Sequence, residues 1–318
     1  MRTFFGYIFS KSFNGKGSLA AILLILLLNG CGNRKGSKVP QETPTSGTIN
    51  ISVDESFKPV IDSQIKVFES SFPDIKIIPH YKPEAECFRD LARQGDSTRM
   101  IIVTRGLSMV EENYYKESQY IPPTFGQLAF DAIAVIINNK AKDSIFQMKD
   151  IRDMLNGTDK NHQPVMDGVS ETSTVRYAID SILHGQPLGK GVTAARSSEE
   201  VINYVASNPR AVGFIGVSWI GDEDDPTQLS FLKKVNLAAI RCGNCLGETY
   251  VKPYQANIAL GRYPLVRGLY YILKENYSGV GNNFVNFLQF ERGQLIFRRA
   301  YLVPSKMSFE IRNMQISN

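Results

Sequence analysis

Short apolar runs that alternate with amphipathic ones, from residue 48 almost to the C-terminus, constrain this 318-residue chain more than any other feature. Residues 48–53, Thr-Ile-Asn-Ile-Ser-Val, alternate apolar and polar side chains as a half-buried strand does, and Val60, Ile61, Ile65, Val67 and Phe68 follow at helical spacing. Phe72-Pro73 stops that helix and residues 75–79 return to strand character, which gives a βαβ opening. Residues 85–94 read as helix. Met-Ile-Ile-Val at 100–103 reads as a strand buried on both faces, because four apolar residues in a row suit a parallel sheet covered by helices. Helix at 111–116 precedes a long extended apolar stretch, 126–138. A second series follows: helices at 148–155, 174–183 and 198–207, strands at 164–166 and 211–216, an apolar stretch at 235–240, helices at 264–275 and 282–290, and a closing apolar segment at 302–304. Strands alternating with helices in this way mean an α/β architecture.

The N-terminus carries a different signal. Arg2, Lys11 and Lys16 appear without any acidic residue, then ten apolar residues at 19–28 lead into Asn29-Gly30-Cys31. That is the layout of a removable export signal over 1–30, its apolar run being shorter than the roughly 20 residues that span a bilayer. Cys31 directly after Leu-x-Gly resembles the bacterial lipobox, in which the Cys is acylated after cleavage. Asn29 departs from the small or hydroxyl residue usual there. Residues 31–46, rich in Gly, Lys, Pro, Ser and Thr, read as a flexible tether. The expected location is the periplasmic face of a bacterial membrane, held by lipid.

Removing residues 1–30 takes three positive charges from a formal +5 and leaves +2. A near-neutral body gives no reason to invoke nucleic acid. About 270 residues remain, enough for one large or two medium cores. Of the three further cysteines, Cys242-Gly-Asn-Cys245 sits among Gly243, Asn244 and Gly247, so a loop is expected. In an oxidising compartment a local disulfide pinning that loop is the first reading, a redox pair the second. His80, His162 and His184 have no metal-like spacing, no cofactor is implied, and Cys87 reads as a buried thiol.

Several stretches together resemble the substrate-binding proteins of bacterial phosphate ABC transporters, which have the type 2 periplasmic binding-protein fold. Residues 127–138, Gln-Leu-Ala-Phe-Asp-Ala-Ile-Ala-Val-Ile-Ile-Asn, resemble the family's lobe-crossing strand. Residues 148–157 resemble its short helix ending in a phrase like Ile-Phe-x-Gly. Residues 208–219, Asn-Pro-Arg-Ala-Val-Gly-Phe-Ile-Gly-Val-Ser-Trp, resemble its Pro-x-Ala-Ile-Gly-Tyr-x-Gly. Residues 261–267 resemble its Gly-x-Tyr-Pro-x-x-Arg, and 287–294 its Phe-x-x-x-x-x-Gly-Gln. The order and spacing of these phrases, over about residues 47–305, carry the resemblance. It implies two α/β lobes, each a doubly wound sheet, joined by two crossing strands: lobe one at 47–128 plus 243–318, lobe two at 129–242. It also implies a phosphate or related oxyanion as ligand, an ABC permease as partner, a monomer, and no enzymatic activity.

A tetrahedral oxyanion is best held by backbone N–H groups at helix N-termini, by hydroxyl donors and by an Arg. The family has a Thr-Phe pair after its first strand, which carries over to Ser56 and Phe57. Its Ser-Gly-Thr carries over to Thr172, Ser173 and Thr174, ahead of Arg176, although plain helix capping would also place hydroxyls there. Two departures stand out. Tyr81-Lys-Pro-Glu-Ala-Glu86 replaces a Ser-Gly-rich loop, bringing carboxylates to an anion's place, and the family's Arg aligns with Gly168. Arg105, at the end of the 100–104 strand where α/β sheets make ligand contacts, either supplies that guanidinium or pairs with Glu84, Glu86 or Glu111. Those departures keep a second reading in view, a binding protein for another solute or a sensor. A thiol oxidoreductase using Cys242 and Cys245 is the third. If Cys31 is the anchor, Cys31→Ser leaves the chain without labelled palmitate when expressed in a bacterium, and the protein leaves the membrane fraction. Retention of label would place the lipid elsewhere.

Overall fold

The structure, a computed structural model, describes residues 42–306 apart from 94, 119–121, 169 and 223. The export signal, Cys31 and the tether up to residue 41 lie outside the described residues. Among those described, no helix is long and apolar enough to cross a membrane. The expected tether is corrected at its far end. Glu42 accepts hydrogen bonds from Arg99 Nη1 at 2.8 and 2.9 Å and from Val280 N at 3.1 Å, so residues 42–46 are already fastened to the folded body.

Among the described residues thirteen strands follow in chain order: β1 Gly47–Asp54, β2 Ile75–Lys82, β3 Thr98–Val103, β4 Thr124–Asn138, β5 Ile145–Phe146, β6 Gln163–Met166, β7 Thr193–Ala194, β8 Ala211–Gly216, β9 Val235–Leu237, β10 Ala239–Arg241, β11 Tyr250–Val251, β12 Val266–Leu273 and β13 Val303–Pro304. The main sheet runs β2-β1-β3-β12-β4-β8-β6-β7. Its two flanks are parallel, β1 with β2 and β3, and β6 with β7 and β8. Between them β12 and β4 run antiparallel to each other and to their outer neighbours. Parallel strands need helical crossovers that cover both faces, and helices such as Lys58–Ser71, Glu84–Ala92 and Ser198–Ser207 supply them.

β4 is the element the two halves share. Its segment 124–132 pairs with β12, and 133–137 pairs with β8. The apolar run that sequence marks as extended is therefore buried on both halves, with Ala132 to Ile137 all at 2% exposure or less. The larger core gathers Phe57, Phe68, Leu269, Phe284 and Phe297, and a second packs Ile136, Val201, Val205 and Trp219 under the far half. Gly213 permits the latter, since a Cβ there would meet Ile136, Val201 and Val205 side chains at 2.8 Å.

The expected helix at 264–275 is a strand, β12, in the middle of the sheet. Leu265, Leu269 and Ile272 satisfy helical spacing, but burial in β12 alternates along Arg267, Leu269 and Tyr271. Gly268 and the aromatic and β-branched run Tyr270-Tyr271-Ile272 favour the extended state, and the open positions beside β3 and β4 are filled by it. The expected helix at 174–183 is α-helical only over Ser173–Tyr177 and continues as a π-helical turn, Ala178–Ile182. Helices Pro226–Leu232 and Glu291–Arg299 were not expected from sequence.

A three-stranded sheet, β11-β10-β5, stands apart. In the loop between β10 and β11, Cys242 and Cys245 are joined with Cα atoms 5.6 Å apart. Cys87 is free and buried. Phe68 has no exposure and meets Phe72, Phe284 and Phe287 with ring centroids 5.0 to 5.2 Å away. Phe68→Ala is expected to lower unfolding free energy in urea by about 3–5 kcal/mol. A loss under about 1 kcal/mol would contradict this packing.

Candidate functional site

The carboxyl ends of the parallel strands on both flanks point at the junction formed by β4 and β12, the topological switch point where α/β sheets hold ligands. Asp54 ends β1 and Thr104 follows β3; Asp167 follows β6 and Ser218 follows β8. Asp131 of β4 and Arg267 of β12 project into the same space, and all six side chains are buried.

Arg267 organises this space. Its Nε donates to Asp131 Oδ2 at 2.8 Å and its Nη1 to Ser173 Oγ at 2.9 Å and Thr174 Oγ1 at 3.5 Å. Its guanidinium carbon lies 5.2 Å from the centre of the Phe57 ring. Burial alone would lower its pKa, but Asp131 and Asp54 outweigh that and hold it firmly protonated. Three buried atoms in the cluster have no hydrogen-bond partner, Arg267 Nη2, Asp54 Oδ2 and Asp131 Oδ1. Gly216 lets the halves approach, because a Cβ there would lie 3.1 Å from Ser56 O and 3.2 Å from Arg267 Nη2.

Ser56 and Phe57 open the first helical segment, Asp54 acting as its cap by accepting from Ser56 N at 2.9 Å. Ser56 O accepts from Ser218 Oγ at 2.9 Å, and the Ser56 and Ser173 hydroxyls are 3.4 Å apart. Thr172 and Thr174 donate to Asp167 at 3.1 and 3.2 Å, and Thr172 caps the short helix by accepting from Val175 N at 3.2 Å. Ser56, Phe57, Ser173 and Thr174 thus come together around Arg267, with Thr172 one step removed behind Asp167.

Arg105 and Arg176 lie elsewhere. Arg105 pairs with Glu111 at 2.7 and 2.9 Å and stacks over Phe88 at 3.8 Å. The bridging alternative describes it, and the guanidinium among the hydroxyls is Arg267. Arg176 donates through Nε to Glu84 at 2.6 Å and through Nη2 to Thr104 Oγ1 at 2.6 Å. Glu84 faces the cleft, yet it is satisfied there: Thr104 N and Oγ1 donate to its other oxygen at 2.8 and 2.6 Å. Burial opposes its charge, but the Arg176 guanidinium and the Thr104 donors overcome that and hold its pKa below the usual range. These residues border a cavity of about 520 Å³ at the cleft mouth, whose apolar lining comes from Phe88, Val175 and Ile179.

Sequence reasoning missed Asp54, Asp131, Asp167, Thr104, Ser218 and Arg267. One signal was present for Asp131, a lone carboxylate inside an apolar strand, since a fully buried acid is rare unless paired. For Arg267 the signal was hidden by reading its segment as a helix. Among the described residues no group of three or more His, Cys, Asp or Glu side chains could hold a metal ion.

The chain matches the PBP superfamily domain over residues 38–291, four-fifths of its length, and belongs to that superfamily; its fold is that of the type 2 periplasmic binding proteins. It is 23% identical over 305 residues to the phosphate-binding protein PstS of Bacillus subtilis (strain 168), covering 87% of this chain and 90% of the relative. Among solved structures it resembles a Clostridium perfringens protein with bound phosphate at a TM-score of 0.65 and 19% identity, over 82% of this chain and 100% of that one. An ABC-type phosphate transport receptor from Vibrio cholerae is similar at 0.57 and 17% identity, over 81% and 100%. At such identities the structural likeness concerns the fold.

The acids carry a pH signature. Burial, then the charge of Glu84, raises Asp54 from 3.8 to about 7, and burial, then Asp167, raises Glu55 from 4.5 to about 7. Between about pH 4 and 7 the folded chain therefore binds more protons than the unfolded one, so these groups make stability fall as pH rises through that window. Asp54→Asn removes one such group. Its urea midpoint is expected to gain on the wild type's as pH goes from 4 to 7 and to stay level above; a constant difference at every pH would contradict the assignment.

Proposed function

We propose that this chain is the solute-binding component of an ABC transporter for phosphate or a related small oxyanion, held at the periplasmic face of a bacterial membrane by lipid on Cys31. It acts as a monomer, carries no cofactor and performs no chemistry of its own. The observation that carries the reading is Arg267: a buried guanidinium with one nitrogen unpaired, beside the hydroxyls of Ser56, Ser173 and Thr174, at the carboxyl ends of parallel strands. The names of its relatives, phosphate-binding protein and phosphate transport receptor, agree with that chemistry.

In this reading residues 47–128 plus 243–318, of which those beyond 306 lie outside the described residues, belong to one lobe and 129–242 to the other. The hinge lies at Phe130 to Val135, where β4 exchanges β12 for β8, and at Asn236 to Ile240. Opening parts Ser56 from Ser173 and admits the anion to Arg267. The partner at the membrane is a permease, and the tether from Cys31 raises the local concentration of the binding body beside it.

A specific observation favours a second reading, a diverged binding protein for another solute or a sensor. Asp54, Asp131 and Asp167 surround a single guanidinium, so an anion entering with full charge meets net negative surroundings. Isothermal titration of the purified chain with inorganic phosphate separates the two. The leading reading expects saturable heat and a rise in melting temperature at millimolar phosphate, both diminished in Arg267→Lys. Absence of heat and of thermal shift in the wild type would favour the second.

A further inference from the structure

We propose that Glu171 is a latch that fastens the far half of the sheet onto the near half, closing the cleft mouth and gating the exit of whatever is bound behind it. Helix Glu84–Ala92 begins after Pro83, which provides no side-chain cap. The first N–H groups of a helix need acceptors from outside it, and one comes from across the cleft: Ala85 N donates to the carbonyl of Glu171 at 3.0 Å. To deliver that carbonyl, Glu171 holds φ at +70°, a left-handed conformation that costs a residue with a side chain and persists where surrounding contacts enforce it.

The same residue makes a second bond to the same helix. Arg89 Nη1 and Nη2 donate to Glu171 Oε1 and Oε2, each at 3.0 Å, the parallel two-point geometry that suits a guanidinium and a carboxylate. Main chain and side chain of one residue therefore grip the start and the middle of a single helix. The Glu84–Arg176 bond lies alongside and spans the cleft in the same direction.

What separates this contact from the Arg267 cluster is its access to water. The Arg89 and Glu171 side chains are 51% and 45% exposed, against 3% and 0% for Arg267 and Asp131. An exposed pair of this kind is weak and yields to salt, which is the property a gate needs and a core does not. Glu171 is a positioning residue: it sets how long the mouth stays shut rather than touching the ligand.

The gating of exit rests on the solute-binding reading proposed above; the latch itself does not, so two measurements are paired. The first needs no ligand. Spin labels on Lys66→Cys and Lys149→Cys, exposed positions on the two halves, report their separation in the full chain by pulsed electron resonance. The wild type is expected to give one short distance, Arg89→Glu a population at longer distance, and the exchanged pair Arg89→Glu with Glu171→Arg the short distance again. A distribution for Arg89→Glu that superimposes on the wild type's, or an exchanged pair as open as the single variant, would overturn the latch. The second is the release rate of inorganic phosphate by stopped flow, expected to be about 5-fold faster in Arg89→Glu and to depend less on ionic strength than in the wild type. An opened mouth with an unchanged release rate would overturn the gating. No phosphate binding in the wild type would instead count against the solute and leave the distance measurement standing.

Discussion

Among the described residues Arg267 is the only guanidinium inside the ring formed by Asp54, Asp131 and Asp167, and the arrangement of everything near it follows from that imbalance. A buried ion pair adds little compared with well-packed apolar groups, but removing one partner leaves charge stranded in a poor solvent. One cation cannot pair with three carboxylates, so the acids are handled separately. Asp131 takes the guanidinium directly, Asp167 is covered by the hydroxyls of Thr172 and Thr174, and Asp54 holds its proton to about pH 7 under the cost of burial.

The sheet topology explains why these charges are gathered at all. Two parallel flanks, each covered by helices, can place loop residues together only at the carboxyl ends of their strands, and β4 and β12 set those ends facing each other. Ser56 comes from the near flank, Ser173 and Ser218 from the far one, and Gly216 is small enough to let them meet. The apolar strands contribute the distances, and the short polar segments after them contribute the chemistry.

Much of this was legible in the chain. The alternation along 48–53 gives β1, the run 100–103 gives a strand buried on both faces, and the extended stretch through 138 gives β4, because these patterns have one period and long enough runs to express it. Segment 264–275 misled because its apolar residues fit both periods, and only its place between β3 and β4 decides. Of the candidate residues, Ser56, Phe57, Ser173 and Thr174 sit in turns that follow a strand, a pattern sequence can show, and the structure brings them together around Arg267. Arg105 and Arg176, expected at the ligand, are instead paired with Glu111 and Glu84, because sequence cannot say which carboxylate reaches a guanidinium first. Glu111 reaches Arg105 from six residues away, and Glu84 reaches Arg176 from ninety-two.

β4 has one further consequence. Fifteen residues of unbroken strand run through both halves, and from 124 to 137 each stretch is bonded to a neighbour that belongs to one half alone. In the opening proposed above, rotation between the lobes would fall on the peptide units around Ala132 and Ile133, where pairing passes from β12 to β8, and on the crossing at Asn236 to Ile240. In the reading proposed above, the hinge therefore lies within one continuous strand rather than in a loop.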